Sequence, residues 1–420
     1  MAIDILVVGA GAAGIAAARR LAALGRSCLV LEAGPAAGGR ARTDHATFGL
    51  PVDLGCHWLH APAHNPLRGL ADRLGHRYEA VGQPLRHAAA GGGWLDDRAV
   101  QARGAYHARC RDRIMAAAQA GEDRPVSELL DAPREDAMQA SFESDFIAKW
   151  GVAPDAASSL DYARYVGEGG DLPVTAGLGT LIGRLAEGLP LRLGAAVTAM
   201  RLGSPAGLRA DTVAGTVEAR AAILTVSTGV LRAEAIRFDP PLPAWKLDAI
   251  AGLPMGHCNK IVLAFERQVF DPPDHCLVLP AGAAHEAVEL LLRPGGRPVA
   301  IALYSGRFGR DLAAAGAAAM AEDCIDRLAA LFGAALRARI APPQLVADWD
   351  AAPFVRGYVA AALPGRADAR IDLARPVEER LFFAGEAVST RFMGDLHGAW
   401  FSGIAAAEAA DRALAAGRGR

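Results

Sequence analysis

The sequence predicts an α/β fold in which a parallel strand–helix–strand unit at the N-terminus is interleaved with a second region of mixed or antiparallel sheet plus a helical insert. Three observations predict it. Residues 3–8 (IDILVV) are a short run, apolar but for Asp4, followed at once by Gly9, Gly11 and Gly14. An amphipathic stretch over 12–24 and a second apolar run over 27–31 complete the unit. Further strand-like runs at 259–266, 276–279, 286–292 and 299–304 follow one another without intervening helices, as antiparallel strands do.

A run such as 3–8 suits a strand buried on both faces. Each glycine after it meets a different steric demand. Gly9 allows a tight turn, Gly11 lets the backbone approach a pyrophosphate, and Gly14 permits close helix–sheet packing. Ala13 lies in the first turn of the helix, whose N-terminus offers free N–H groups and a positive partial charge. Glu32 ends the second run 18 residues after Gly14, with Ala33 next, where a carboxylate accepts from ribose hydroxyls. In a chain with 47 glycines the glycine spacing is weak by itself. Strand, helix and acid together point to a bound adenine dinucleotide. Gly38-Gly39-Arg40, with Arg42 beyond, adds a second backbone cradle and a cationic partner, which suits a ligand larger than NAD. Between these segments, 81–189 reads as helical, with helices at 109–120 and 132–150. Glycines 91–93 mark a hairpin-like loop, and 314–332 reads as one long helix.

The string VVGAGAAGIAAARRLAALG…LVLEA…GGRART resembles the opening of the flavin-dependent amine oxidase superfamily, which includes monoamine oxidases, polyamine oxidases and histone lysine demethylases. The resemblance implies FAD, with Glu32 on the adenosine ribose and Gly39 and Arg40 near the pyrophosphate. Four later segments carry the same likeness. DLGCHWLH (53–60) resembles the stretch that passes the flavin ring, bringing Gly55, Cys56, His57 and Trp58 to its polar edge. The stretch 191–202 resembles a strand whose valine, here Val197, holds the adenine through its backbone. Residues 222–227 and FDPPLP (238–243) resemble the return into the substrate domain. LFFAGE (381–386) and HGA (397–399) resemble the closing flavin segment. There Gly385 and Glu386 would meet the ribityl chain, and Leu396, His397 and Ala399 the ring carbonyl side. No cysteine occurs in 349–365, so the FAD is expected to be non-covalent. The implied architecture is a Rossmann-like FAD-binding domain (1–80, 190–235 and 345–420). It is interleaved with a helical insert (81–189) and a substrate-binding domain (236–344).

Lys260, in MGHCNKIVL, is the leading candidate for chemistry. In the family such a lysine reaches a water bonded to flavin N5, ordering it and placing positive charge near the reduced ring. His57 is the second catalytic candidate. Strand alternation puts His57 and His60 on opposite faces, so each is a separate candidate for the substrate entrance, with packing or a backbone hydrogen bond as the alternative. A neutral imidazole would also help select a deprotonated amine. Relatives sandwich the substrate nitrogen between two rings. Here a Tyr-rich run is reduced to Tyr358 followed by Val359, Ala360 and Ala361, and the second ring position holds Asp395. Phe354, Tyr358, Phe392 and Trp400 stand as pocket rings or as core. Asp395 stands as the partner of a cationic amine or as the cap of the last helix. The loop 168–171 (EGGD) is a further source of a carboxylate.

Bulk properties narrow the partners. A net charge of −2 gives no reason to expect nucleic acid or an acidic membrane surface. The chain has three lysines, Lys149, Lys246 and Lys260. Its six cysteines show no CxxC pair or zinc spacing, so no metal and a reducing cytoplasm are expected. The first strand leaves no room for a signal peptide, and no apolar run has the length of a membrane span, unlike the membrane-bound monoamine oxidases. The expected reaction is oxidation of a primary or polyamine-like amine by hydride transfer to flavin N5. The imine then hydrolyses, and O2 reoxidises the flavin with release of hydrogen peroxide. The alternatives are a flavin desaturase or dehydrogenase, an L-amino acid oxidase using Arg164 or Arg356 for the carboxylate, and a non-catalytic flavin-binding protein. The oligomeric state is not encoded in any of these signals.

Overall fold

Strand Ile3–Val8 sits inside an eight-stranded sheet because both of its faces meet apolar surface. Ile5 and Val7 pack with Ala13, Ala17 and Leu21 of the helix Ala12–Ala23 and with Ala406, Ala407 and Ala410 of the final helix, Leu396–Ala416. Leu6 and Val8 pack on the other side with Met200, Leu208, Leu224 and Leu253. The strand pairs in parallel with Cys28–Leu31 (Ile5 opposite Cys28) and with Gly215–Leu224 (Ile5 opposite Ala221). Across the sheet the order is 237–239, 197–204, 207–212, 215–224, 3–8, 28–31, 191–192, and Leu381–Phe383 runs parallel to the end of 215–224. The structure is a computed structural model that describes residues 3–79, 84–89, 93–132, 136–167, 169–204, 207–280 and 286–416.

The two helices on this sheet approach closely, since a Cβ added at Gly403 would lie 2.0 Å from the Ala13 carbonyl oxygen. That contact brings the start of the last helix against the glycine-rich turn.

A six-stranded sheet forms the second layer, in the order 340–347, 258–265, 299–305, 287–292, 276–279, 85–87. All neighbours are antiparallel except the last pair. Ile261, Leu263, Leu290 and Ala302 pack under the helix Ala317–Phe332 through Met320, Cys324 and Leu328. The opposite face carries Cys258, Val262, Leu291, Ile301 and Leu303 against Val52 and Leu54. Alternation puts Lys260 on that second face, between Cys258 and Val262.

The helices Asp97–Gln119, Asp136–Trp150 and Ser159–Arg164 make a separate core around Tyr106, Ile114, Phe142, Phe146 and Trp150. A fully buried guanidinium ties this insert to the rest of the molecule. Arg370 donates to both Asp161 oxygens at 2.7 Å, to Ala360 O at 2.7 Å and to Ala387 O at 3.0 Å. Removing one partner of such a pair costs about 3–5 kcal/mol, because the other charge is left buried alone.

Several expected elements have different bounds. The helix expected at 109–120 is the second half of Asp97–Gln119, whose start Asp96 caps by accepting from Ala99 N at 2.8 Å. The helix expected at 314–332 is Ala317–Phe332, which starts only after Gly316 at φ 102°, and Ala314 instead ends a separate preceding helix, Gly306–Ala314. The strand expected at 191–202 is also two, Leu191–Arg192 and Val197–Ser204, because the intervening residues turn past Glu32, whose carbonyl accepts from Ala195 N at 2.8 Å. Sheet membership crosses the expected segment limits at Arg237–Asp239, which joins the larger sheet, and at Leu85–His87, which joins the smaller. Parts of three expectations lie outside the described residues: 133–135 of the second helix, glycines 91 and 92 of the loop, and Glu168. Among the described residues no helix is long and apolar enough to cross a membrane.

Candidate active site

The glycine-rich turn is shaped by contacts that exclude side chains. A Cβ at Gly14 would lie 1.9 Å from Gly9 O, and one at Gly9, where φ is 104°, would lie 2.5 Å from Thr225 Oγ1. Gly11 occupies the N-cap of the helix Ala12–Ala23 and has no side chain to cap it, so the first-turn amides around Ala13 carry no side-chain acceptor. Glu32 closes the turn from the side: its two oxygens accept from Ala10 N and Gly34 N, each at 2.7 Å. A carboxylate has about four lone-pair sites, so capacity remains for two hydroxyls. Val197 begins its strand two residues after Ala195, whose N–H donates to the Glu32 carbonyl at 2.8 Å, and Ala33 is half-buried next to Glu32 in the chain.

Arg40 and Glu386 form the next layer. Arg40 donates to Glu386 Oε1 at 2.9 Å and to Tyr358 O at 2.5 Å through one nitrogen, leaving its other donors free for an anion. Glu386, 4% exposed, also accepts from Ala360 N and Gly394 N at 3.2 Å. The residue expected to bond a ribityl hydroxyl is therefore also the anchor of Arg40. Gly39, at φ 59°, packs over Gly11, and Gly385 opens its turn at φ 137°.

Lys260 lies 4% exposed on the inner face of the smaller sheet. Its Nζ donates to Gly55 O, to Asp53 O at 3.3 Å and to His57 Nδ1 at 2.7 Å. Three acceptors match the three N–H bonds of an ammonium. The lysine has only donors, so His57 Nδ1 accepts and the ring proton falls on Nε2, a buried atom with no protein partner. Burial, then the adjacent Lys260 charge, holds His57 well below the ordinary imidazole range; burial likewise lowers Lys260. The water-ordering donor expected of Lys260 is thus committed to protein acceptors, and the uncommitted donor is His57 Nε2–H. Asn259 on the same strand fixes the facing loop by accepting from Trp349 N at 2.8 Å and donating to Asp350 at 2.9 Å.

His60 points elsewhere, as strand alternation requires. It pairs with Asp171 at 2.6 Å across the short ladder of Trp58–His60 with Asp171–Pro173. His397 is 1% exposed, held down to about 4 mainly by burial, and its Nε2 also lacks a protein partner. Trp58 Nε1 is a third buried donor in this state. Leu396 and Ala399 flank His397 at the start of the last helix.

Two expected pocket rings are not in the cleft. Phe354 is 49% exposed on a loop, and Trp400 is core, packed with Ile15, Leu59 and Leu178. Both lie near the site in sequence, but their backbone positions point them outward and into the helix layer respectively. Tyr358 packs against the inner face of the smaller sheet. Asp395 stands at the N-cap position of the last helix, its carbonyl accepting from Ala399 N at 3.2 Å, but its carboxylate is turned to the insert instead of the helix amides. It accepts from Lys149 Nζ at 2.9 Å and Tyr165 OH at 2.8 Å. Arg164 pairs with Asp368 at 2.8 Å, and Arg356 is exposed with Nε on Pro353 O, so neither guanidinium serves a carboxylate in the cleft.

Sequence reasoning missed Glu289, Tyr165 and the Lys149 pair. Lys260, Leu303 and Glu289 are directly opposed across three neighbouring strands and so share a face, with Glu289 about 10 Å from Lys260 by strand spacing. Burial holds the Glu289 carboxyl up to about 7, with Asp145 and Asp171 adding to the rise and Lys260 and Lys149 opposing it. The signal in the sequence was an acid inside an apolar strand, VELLL, that core packing alone does not explain.

The uncapped helix start, the side-chain-free turn and the three unpartnered buried donors fit an FAD lying from Glu32 past Arg40 and Glu386 to the His57 and His397 segments. A family model for flavin containing amine oxidoreductase matches residues 12–136 and 112–410. Polyamine oxidase 2 of Arabidopsis thaliana is 30% identical over 447 aligned positions, covering 96% of this chain and 87% of the relative. Polyamine oxidase 4 of Oryza sativa subsp. japonica is 29% identical over 442 positions, covering 96% and 88%. Among solved structures, a putrescine oxidase bound to putrescine superposes with a TM-score of 0.80 at 20% identity over 99% of both chains. Cyclohexylamine oxidase from Brevibacterium oxydans IH-35A gives 0.80 at 23% identity over 99% and 100%. At these identities the two structures establish the shared fold.

Proposed function

Because the chain belongs to the flavin containing amine oxidoreductases and is an FAD-dependent enzyme that oxidises amines, we propose that its substrate is a diamine or polyamine. Glu289 carries this reading. It is a carboxyl on the same sheet face as Lys260, about 10 Å away, with apolar surface between. A second, non-reacting ammonium is the group such an acid recognises. The polyamine oxidases among the relatives support the same substrate class.

When bound, FAD supplies a two-electron acceptor for the amine's α-C–H hydride, and O2 returns it to the oxidised state with release of hydrogen peroxide. Glu32, the amides from Gly11 to Gly14, Arg40 and Glu386 would hold its adenosine, pyrophosphate and ribityl parts. Gly55, Cys56, Trp58 and the 396–399 segment would face its ring. Lys260 holds the His57 ring in one orientation and keeps it neutral, and His57 Nε2–H donates towards the reacting centre. The apolar face of Ile301, Leu303 and Trp58 excludes water and orients the neutral amine. Burial pushes the Cys56 thiol up to about 12, which keeps it protonated and a poor nucleophile, in keeping with non-covalent FAD. Six free cysteines accord with a reducing cytoplasm.

The test is a peroxide and aldehyde assay, with anaerobic bleaching of the flavin, across putrescine, spermidine, butylamine, benzylamine and L-leucine. The expected result is a kcat/KM for the diamine and triamine about tenfold or more above butylamine, equal to one good ionic contact. Equal turnover of putrescine and butylamine would remove the role of Glu289. Preferential oxidation of L-leucine would favour an amino acid oxidase instead.

A further inference from the structure

The helix Asp136–Trp150 ends beside the start of the last helix, and the two are joined by an ion pair that the proposed reaction does not use. Lys149 Nζ lies 2.9 Å from Asp395 Oδ1, and Tyr165 OH donates to Asp395 Oδ2 at 2.8 Å. The same ammonium stands 4.6 Å from the Tyr165 ring centroid and 6.0 Å from that of Trp150. A carboxylate backed by two ring faces is the chemistry that recognises an organic ammonium. The Asp395 side chain is 1% exposed, whereas that of Lys149 is 28% exposed, so the cation rather than the anion borders open space.

We propose that Lys149 is a specificity-determining residue: it fills an ammonium site made by Asp395, Tyr165 and Trp150 with the chain's own ammonium, and so denies that site to substrate cations. This rests on the diamine reading above, in which the second ammonium of the substrate goes to Glu289. The pair is persistent. Burial opposes both charges, but their mutual attraction raises Lys149 above the usual lysine range and lowers Asp395 below the usual carboxylate range. A substrate ammonium therefore has to displace a permanently held one, and the vacant partner elsewhere on the platform is preferred.

The proposal is tested on the FAD-loaded protein by titration calorimetry with tert-butylammonium. This cation carries a lysine-like NH3 head and has no α-hydrogen, so it cannot be oxidised. Lys149→Ala is expected to bind it at least about tenfold more tightly than wild type, and Lys149→Ala/Asp395→Asn to return to the wild-type value. Lys149→Gln, which keeps a donor for Asp395 without the charge, is expected to lie between them. Unchanged binding in whichever single variant retains its flavin overturns the proposal. Loss of flavin by both variants overturns it equally, since it would make the pair a structural clamp. Because the readout is binding, it is separable from the amine panel, where failure of the diamine reading would be seen.

Discussion

The glycine-rich turn and the Lys260 platform meet at the same cleft yet are built on opposite plans. At the turn the backbone makes the surface: Gly9 and Gly14 leave no room for side chains, and the one acid present, Glu32, is aligned by the amides of Ala10 and Gly34. On the platform, side chains make the surface, and each is fixed by a partner far away in sequence. Lys260 and His57 are 203 residues apart, and Lys149 and Asp395 are 246 apart. Free backbone amides at a helix start suit a phosphate-bearing cofactor. A site of paired side chains can be re-paired without disturbing the backbone that positions it.

The sharpest way to break that contrast is Gly14→Val. Any Cβ there meets Gly9 O at 1.9 Å, and neither backbone segment can withdraw without shifting the sheet. Bound flavin, read from its visible absorbance per protein, is expected to fall by about tenfold or more, an effect of overpacking that strains a site by about 1–3 kcal/mol. Normal flavin content would mean that the turn tolerates side chains after all.

Lys260→Met tests the opposite plan. Flavin is expected to be retained, while the anaerobic reduction rate falls by about 10²-fold. Burial is the largest influence depressing His57 and the Lys260 charge the next, so loss of that charge is expected to move the acid limb of the rate profile to higher pH. A slower enzyme with an unmoved limb would mean that Lys260 acts without His57.

Glu289→Gln gives a smaller, pH-dependent effect. The carboxyl is held up to about 7, so it is largely neutral below that pH and ionised above it. The KM for putrescine is expected to rise about tenfold in the variant at about pH 8 and to change little at about pH 6, since only the ionised form attracts an ammonium. An equal rise at both values would point to packing rather than charge. Phe354→Ala should do least. This ring is 49% exposed, and a change within about twofold in KM is expected, within the roughly ±0.5 kcal/mol typical of surface positions. A larger change would bring back the ring as part of the pocket.

Much of the fold was legible because strand and helix periods are local. The strands at 258–265 and 287–292 begin within one residue of the expected starts. What was misread has local causes too: Gly316 delays the start of one helix to Ala317, and the turn at 193–196 splits one strand, and neither interrupts the apolar pattern. The glycine-rich turn and the acid that closes it were legible in the sequence. The amine end was not. Asp395 offered two readings, helix cap or substrate partner, and the structure gives a third, because a lysine from the insert reaches it first.

The sequence by itself determined the FAD cradle, since a strand, a tight turn and a helix N-terminus within about forty residues dictate their own geometry through backbone sterics and the helix dipole. Only the tertiary structure decided which charges meet over the platform. Lys149, Asp395, Lys260, His57 and Glu289 come from segments whose relative positions are set by two sheets and a helical insert closing together, and no local pattern encodes that distance.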